Sequence, residues 1–306
     1  MQQKRLLGRL ILLFGLAAGL SASSAYGADA VPVFVSILPQ KYFVERIGGD
    51  RVDVSVMVQP GANPAVYEPK PMQMAKLANA RIYFAVGVPF ESAWLEKFAS
   101  VGSRLTIVQT QAGIKKRPMP AMHLHGNGRL HEPLPHSRRS DPHVWTSPPL
   151  VKILADNIHG GLSSVDPENA SLYEANYRRF IEEINELDLR IRRILSKIDP
   201  PRSFMVYHPS WGYFADTYHL KQIPVELEGK APKPAQLRRL IERAEAEGIK
   251  VIFAQPQFST KSAEAVAGAI GGRVVYADPL AYDWPGNLLR QAEQFKAAVL
   301  EAKKKK

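Results

Sequence analysis

Short apolar runs alternate with amphipathic segments along most of the chain, which predicts repeated βα units. The first half has four such runs, at residues 31–38, 52–58, 81–86 and 105–108. Segments with helical spacing separate them, and residues 203–302 repeat the arrangement. Because strands joined by helices pair in parallel, we expect a mostly parallel sheet in each half.

One long amphipathic segment separates the two halves. Apolar residues recur every three or four positions from Tyr173 to Ile198, after a start at Asp166-Pro167 and before Asp199-Pro200. A helix of about thirty residues is about 45 Å long at 1.5 Å per residue, which is long enough to join two lobes. We therefore predict an α/β protein with two lobes, each a mostly parallel sheet flanked by helices, joined by one long backbone helix.

Residues 1–30 have the pattern of a cleaved secretory signal peptide. Three positive charges within residues 1–9 precede an apolar run of eleven at residues 10–20, and small residues follow through Ala30. This run is too short to cross a membrane, because a span needs about 20 apolar residues. We expect a soluble, exported chain of a Gram-negative periplasm.

The composition narrows the chemistry further. The chain has 306 residues, of which 45% are apolar and 23% charged, and this suits a globular protein of about two domains. It has no cysteine, which excludes disulfides, thiolate metal sites and cysteine nucleophiles. Much of the net charge of +11 comes from the two termini. Since the body carries only a mild positive excess, we expect no nucleic-acid partner.

Polar motifs occur where predicted strands end and after the histidine-rich segment. Ligands of open α/β sheets bind beyond the carboxyl ends of the strands. His143, His208 and Asp278 lie in three of these motifs. Imidazole nitrogens and a carboxylate oxygen suit zinc, manganese or ferrous iron. Each histidine taken alone is also compatible with a structural, hydrogen-bonded role.

A segment at residues 118–142 contains many prolines, has no apolar period and is rich in histidine. It predicts a long mobile loop, and short histidine-rich tracts bind metal weakly. The alternative is a surface loop without a binding role. Its histidines are His123, His125, His131 and His136. Two further histidines, His159 and His219, are predicted to be structural.

Taken together, the motifs resemble the periplasmic solute-binding proteins of zinc and manganese ABC transporters, the cluster A-I family. The resemblance extends from about residue 31 to residue 300. The motifs that carry it are Pro60-Gly61-Ala62-Asn63-Pro64, Tyr67-Glu68-Pro69, Asp141-Pro142-His143-Val144-Trp145, Tyr207-His208-Pro209-Ser210-Trp211, Phe253-Ala254-Gln255-Pro256-Gln257-Phe258 and Asp278-Pro279-Leu280. It implies two metal-binding lobes, at residues 31–160 and 200–306, with a linking helix at residues 161–199.

The resemblance also implies a ligand set with one departure. His143 and His208 match two family histidine ligands, and Asp278 matches the family carboxylate. The family's first histidine is replaced by Ala65, which cannot bind a metal. Glu68, a water molecule or a histidine of the loop is expected to complete the site, with Glu68 or water favoured. Glu228 and Gln255 are weaker polar candidates near the cleft.

The resemblance implies a non-enzymatic binding protein that captures Zn²⁺ between its lobes and delivers it to the permease subunits of an ABC transporter. Mn²⁺ or Fe²⁺ is the alternative cargo, because oxygen ligands favour harder ions. Two alternatives from other classes are a zinc-dependent hydrolase and an adhesin-like interaction protein. No His-Glu-x-x-His helix supports the hydrolase. We expect the protein to be a monomer.

Overall fold

The first lobe is a four-stranded parallel sheet with helices packed against it. The computed structural model describes residues 30–119, 123–124, 130–131, 140–200, 202–226 and 229–303. In chain order, the elements of this lobe are β1 (Val31–Val35), α1 (Leu38–Gly48), β2 (Val52–Val56), α2 (Pro71–Leu77), β3 (Ile82–Ala85), α3 (Glu91–Val101) and β4 (Thr106–Gln109). The strands lie in the order β2-β1-β3-β4, and each neighbouring pair is parallel.

Two short strands and two long helices follow. The strands β5 (His123–Leu124) and β6 (Leu130–His131) form an antiparallel pair. The helices are α4 (Pro148–Val165) and α5 (Ala170–Leu195), and a short 3-10 turn at Pro167–Asn169 separates them. Most of the predicted histidine-rich loop lies outside the described residues, as does the predicted signal peptide apart from Ala30.

The second lobe repeats the parallel βα arrangement. Its elements are β7 (Ser203–Val206), α6 (Gly212–Thr217), β8 (Lys221–Pro224), α7 (Pro234–Ala246), β9 (Val251–Ala254), α8 (Lys261–Ala269), β10 (Arg273–Tyr276) and α9 (Trp284–Lys303). The strand order is β10-β9-β7-β8, again with parallel pairs. The predicted fold class is therefore confirmed. In the part of the chain that the structure describes, no helix has the length and apolar character of a membrane span.

Helix α5 is fixed between the lobes by aromatic packing. Phe180 of α5 lies 5.9 Å from Phe43 of α1 and 6.4 Å from Trp284 at the start of α9, measured between ring centres. All three rings are buried. In turn, α9 packs on the second sheet, where Phe295 stacks on Phe204 at 4.3 Å. The apolar stripe predicted for the long helix thus contacts elements on both sides of the cleft.

Helix α4 occupies a stretch to which the hydrophobic pattern assigned no element. It begins with two prolines and contains Gly160 and Gly161, and glycine lowers intrinsic helix propensity. Gly161 faces β3 so closely that a Cβ atom there would lie 2.7 Å from the Phe84 ring. Close contact with the sheet, rather than propensity, therefore explains the glycine at this position of α4.

The two glycines of α4 give a matched test of this packing. Gly161→Ala should lower the free energy of unfolding by about 1–3 kcal/mol, because its methyl group overpacks against Phe84. The Cβ atom added by Gly160→Ala has no neighbouring atom within 4 Å. This change should therefore raise the free energy of unfolding by up to about 1 kcal/mol through helix propensity. Urea unfolding of both variants checks this, and equal shifts in both would contradict the packing argument.

Candidate metal centre

Two histidines from different parts of the fold face each other across the cleft. His143 immediately precedes the 3-10 turn Val144–Thr146 that leads into α4, and His208 follows the end of β7. Their ring centres are 5.1 Å apart and the ring planes are inclined by 71°. Two imidazoles bound to one tetrahedral zinc at about 2.0–2.1 Å place their ring centres about 5 Å apart. The observed spacing therefore suits a shared metal ion.

The ring of His143 is oriented by Asp141. The Nδ1 atom of His143 lies 2.7 Å from Oδ1 of Asp141, and the His143 backbone N–H donates to the same oxygen at 3.0 Å. Burial lowers the pKa of His143 below its ordinary value, against the opposing effect of the Asp141 hydrogen bond. The imidazole is therefore neutral at neutral pH, which is the protonation state that binds a metal.

The ring of His208 is held in the same manner by the second lobe. Its Nδ1 atom lies 2.7 Å from Oε1 of Glu226, which follows β8 and is buried. Phe258 stacks on the ring at 4.5 Å. Gln255 accepts from the His208 backbone N–H at 3.0 Å and donates to its carbonyl at 2.8 Å. Both the ring and the backbone of His208 are thus fixed before any ligand arrives.

The two carboxylates select one tautomer at each histidine. A carboxylate accepts a hydrogen bond, so Nδ1 of each ring carries a proton and Nε2 is the atom left to bind a ligand. This is the carboxylate–histidine–metal arrangement found around metal ligands in proteins. The pair therefore offers two nitrogen donors, with the oxygen atoms of Asp141 and Glu226 behind them.

Asp278 is held by hydrogen bonds of its own. Its Oδ1 atom accepts from Gln257 at 2.8 Å and from the backbone of Leu280 at 2.9 Å. It lines a cavity of about 220 Å³ together with residues that include Gln59 and Gly61. Within the described ranges, no group of three or more histidine, aspartate or glutamate side chains stands ready to hold an ion. The structure brings the two histidines together without placing Asp278 beside them.

Glu68 lies in the loop between β2 and α2. Its side chain is exposed, as is Ala65, whose backbone N–H donates to Oδ1 of Asn63 at 2.8 Å. The assignment of Glu68 as a ligand stays a prediction. Glu228, a weaker candidate, lies outside the described residues.

Sequence reasoning missed the two orienting carboxylates. Asp141 belongs to a motif that was noted without a role for its carboxylate. Glu226 follows β8, so the rule that pointed to other strand ends would have found it. Gln255, named as a weaker candidate, braces His208 through the backbone. His159 stacks on Tyr177 at 5.0 Å, in keeping with the structural role predicted for it.

Comparison with known proteins identifies the relatives of this fold. The family model described as ZnuA, zinc-uptake complex component A, periplasmic, matches residues 33–298. The high-affinity zinc uptake system protein ZnuA of Bacillus subtilis (strain 168) is 29% identical over 275 residues, which cover 85% of this chain and 83% of that protein.

Two solved structures are also similar. A crystal structure of ZnuA is 41% identical with a TM-score of 0.81, and the match covers 89% of this chain and all of that one. A zinc-bound ZnuA in which residues 138–173, in that protein's numbering, are deleted is 41% identical with a TM-score of 0.80. The match covers 88% of this chain and 98% of the deletion mutant.

The orienting role of the Glu226 carboxylate can be tested by replacing it with an uncharged amide of similar size. Glu226→Gln should weaken binding of one Zn²⁺ by about 10–100-fold, because a neutral amide is a weaker acceptor than a carboxylate and can also turn its NH₂ group toward Nδ1. The control is Glu242→Gln on α7, which removes the same charge from an exposed position. Competitive titration with a chromophoric chelator measures both, and equal affinities in the two variants would contradict the orienting role.

Proposed function

The chain belongs to the ZnuA family of periplasmic zinc-uptake components, and from this premise we propose that it captures one Zn²⁺ between His143 and His208. Members of this family are solute-binding components of ABC transporters and not enzymes, which removes the hydrolase alternative. The partner that we propose for the loaded protein is the permease of such a transporter. The predicted signal peptide at residues 1–30 fits export to the periplasm.

The single observation that carries this proposal is the geometry of the histidine pair. The rings meet at 5.1 Å, and each Nδ1 is committed to a buried carboxylate. A pair of structural histidines would not require both Nε2 atoms to be kept available at one point in the cleft. In addition, the two nitrogen ligands come from different parts of the fold, because His143 precedes α4 and His208 follows a strand of the second sheet.

We propose Asp278 as the third ligand. The indole N–H of Trp145 donates to the carbonyl of Pro279 at 2.8 Å, and Asn287 donates to the carbonyl of Asp278 at 2.8 Å. The backbone that bears Asp278 is therefore tied to the turn that follows His143. Rotation of the Asp278 side chain away from Gln257, rather than a wide opening of the lobes, would bring its oxygen toward the pair.

The fourth position is proposed to be filled by oxygen, from Glu68 or from water. Ala65 occupies the place of a family histidine and offers no donor. Two imidazoles favour Zn²⁺ as the cargo, whereas a site completed by two carboxylates would favour Mn²⁺ or Fe²⁺. The histidines of residues 118–142 are proposed to collect ions at the surface rather than to complete the site.

Alanine substitutions test whether the pair is the site. His143→Ala and His208→Ala should each abolish binding of the one tight Zn²⁺, because either change removes half of the nitrogen donors. His159→Ala is the matched control, since it removes an imidazole that pairs with Glu174 outside the cleft. Zinc titration of the chain without residues 1–30 measures all three. Tight binding that survives in both cleft variants would overturn the proposal.

Restoring the missing donor tests the role of position 65. Ala65→His should raise the Zn²⁺ affinity by at least about tenfold, since a third imidazole replaces an oxygen donor. It should also shift selectivity away from Mn²⁺. Parallel titrations with both metals measure the ratio. Val66→His, at the exposed neighbouring position, is the control and should leave both affinities unchanged. A gain no larger at position 65 than at position 66 would show that position 65 does not face the ion.

A further inference from the structure

The histidine-rich segment joins the described fold through a short paired neck, which we define as residues 117–118 and 140–141. Pro118 and Ser140 form an isolated antiparallel bridge. Next to it, the backbone N–H of Asp141 donates to the carbonyl of Arg117 at 2.9 Å. The neck therefore ends on the residue whose carboxylate orients His143.

A tyrosine of the second lobe is built into this neck. Two residues in a hydrogen-bonded antiparallel pair normally exchange two N–H···O bonds. Here only one of these bonds is direct. In place of the other, the hydroxyl of Tyr213 accepts from the backbone N–H of Arg117 at 3.0 Å and donates to the carbonyl of Asp141 at 3.0 Å. The side chain is 6% exposed, so water does not readily replace it.

A second set of contacts joins the neck to helix α6. The Nη1 atom of Arg117 lies 3.1 Å from Oδ2 of Asp216 on α6, and its Nε atom lies 3.8 Å from Oδ2 of Asp141. Gly212, at the start of α6, leaves no room for a Cβ atom against Arg117 and Asp141. The second lobe therefore packs directly on the neck.

We propose that Tyr213 is a positioning residue for the metal ligand His143. Its hydroxyl fixes the backbone of Asp141, and the Asp141 carboxylate in turn fixes the tautomer and orientation of the His143 ring. This inference rests on the proposed function and deepens it, because Tyr213 touches neither the ion nor its ligands. Tyr213 belongs to the second lobe. The contact between the lobes therefore also affects the orientation of His143, which precedes α4.

This coupling arises because backbone groups of the neck would otherwise lack hydrogen-bond partners. If the hydroxyl is withdrawn, a partly buried backbone N–H and a buried carbonyl lose their partners, which is unfavourable. The neck then relaxes until other partners are found, and Asp141 moves with it. Ligand orientation and lobe contact are therefore linked through one hydroxyl group.

The test compares Tyr213→Phe with Tyr218→Phe in the chain without residues 1–30. Tyr218 lies at the end of the same helix and is also buried, and its hydroxyl donates to Asp188 at 2.9 Å. Each variant thus loses one buried hydroxyl, which makes two hydrogen bonds at Tyr213 and one at Tyr218, and thermal unfolding checks that both are folded. The readouts are the ¹⁵N spectrum of the histidine rings without metal and the Zn²⁺ affinity by chelator competition.

The expected result is specific to Tyr213→Phe. The His143 ring should lose its single Nδ1–H tautomer while the His208 ring keeps it, and Zn²⁺ affinity should fall by about tenfold. Tyr218→Phe should change neither. An unchanged His143 tautomer, an unchanged affinity, or equal effects in the two variants would overturn the inference. If the parent binds no Zn²⁺, the proposed function fails, and the metal-free spectra still decide whether Tyr213 positions His143.

Discussion

The hydrogen bonds from the two histidine rings to Asp141 and Glu226 are the interactions on which the site depends. Each joins an imidazole Nδ1 to a buried carboxylate at 2.7 Å. Two carboxylates in one cleft carry two negative charges, and burying charge is costly unless it is compensated. Arg117 compensates Asp141 only in part, at 3.8 Å. A divalent cation between the rings would balance both charges, so the same feature that orients the donors also favours binding of the ion.

The fold holds the start of α4 close to the strand ends of the second sheet, and this brings the two histidines together. His208, Glu226 and Gln255 all follow strands of the second sheet, whereas His143 enters from the start of α4. Helix α5 and the ring contacts among Phe43, Phe180 and Trp284 limit how far the lobes can separate. The hydrogen bond from Trp145 to Pro279 adds a direct connection beside the site. Such a frame suits capture by small local adjustments better than wide opening and closing.

The sequence pattern predicts the sheets well because buried parallel strands are continuous apolar runs. The predicted strands at residues 81–86 and 251–254 contain β3 and β9, whose residues are all buried. The pattern missed α4 because its paired glycines have low helix propensity, and the packing of Gly161 on Phe84 is visible only in the structure. His143 and His208 are recognisable from their motifs. The approach of His143 to His208, the pairing of His208 with Glu226 and the insertion of Tyr213 into the neck arise only from tertiary contact.

X-ray absorption spectroscopy of the protein loaded with one equivalent of Zn²⁺ tests the central claim most directly. It counts the imidazole rings bound to the ion through their multiple-scattering signal. The account predicts two imidazole nitrogens at about 2.0 Å, with oxygen atoms in the remaining positions. A spectrum with fewer than two imidazoles would contradict the pairing of His143 with His208, and a third imidazole would contradict the oxygen completion of the site.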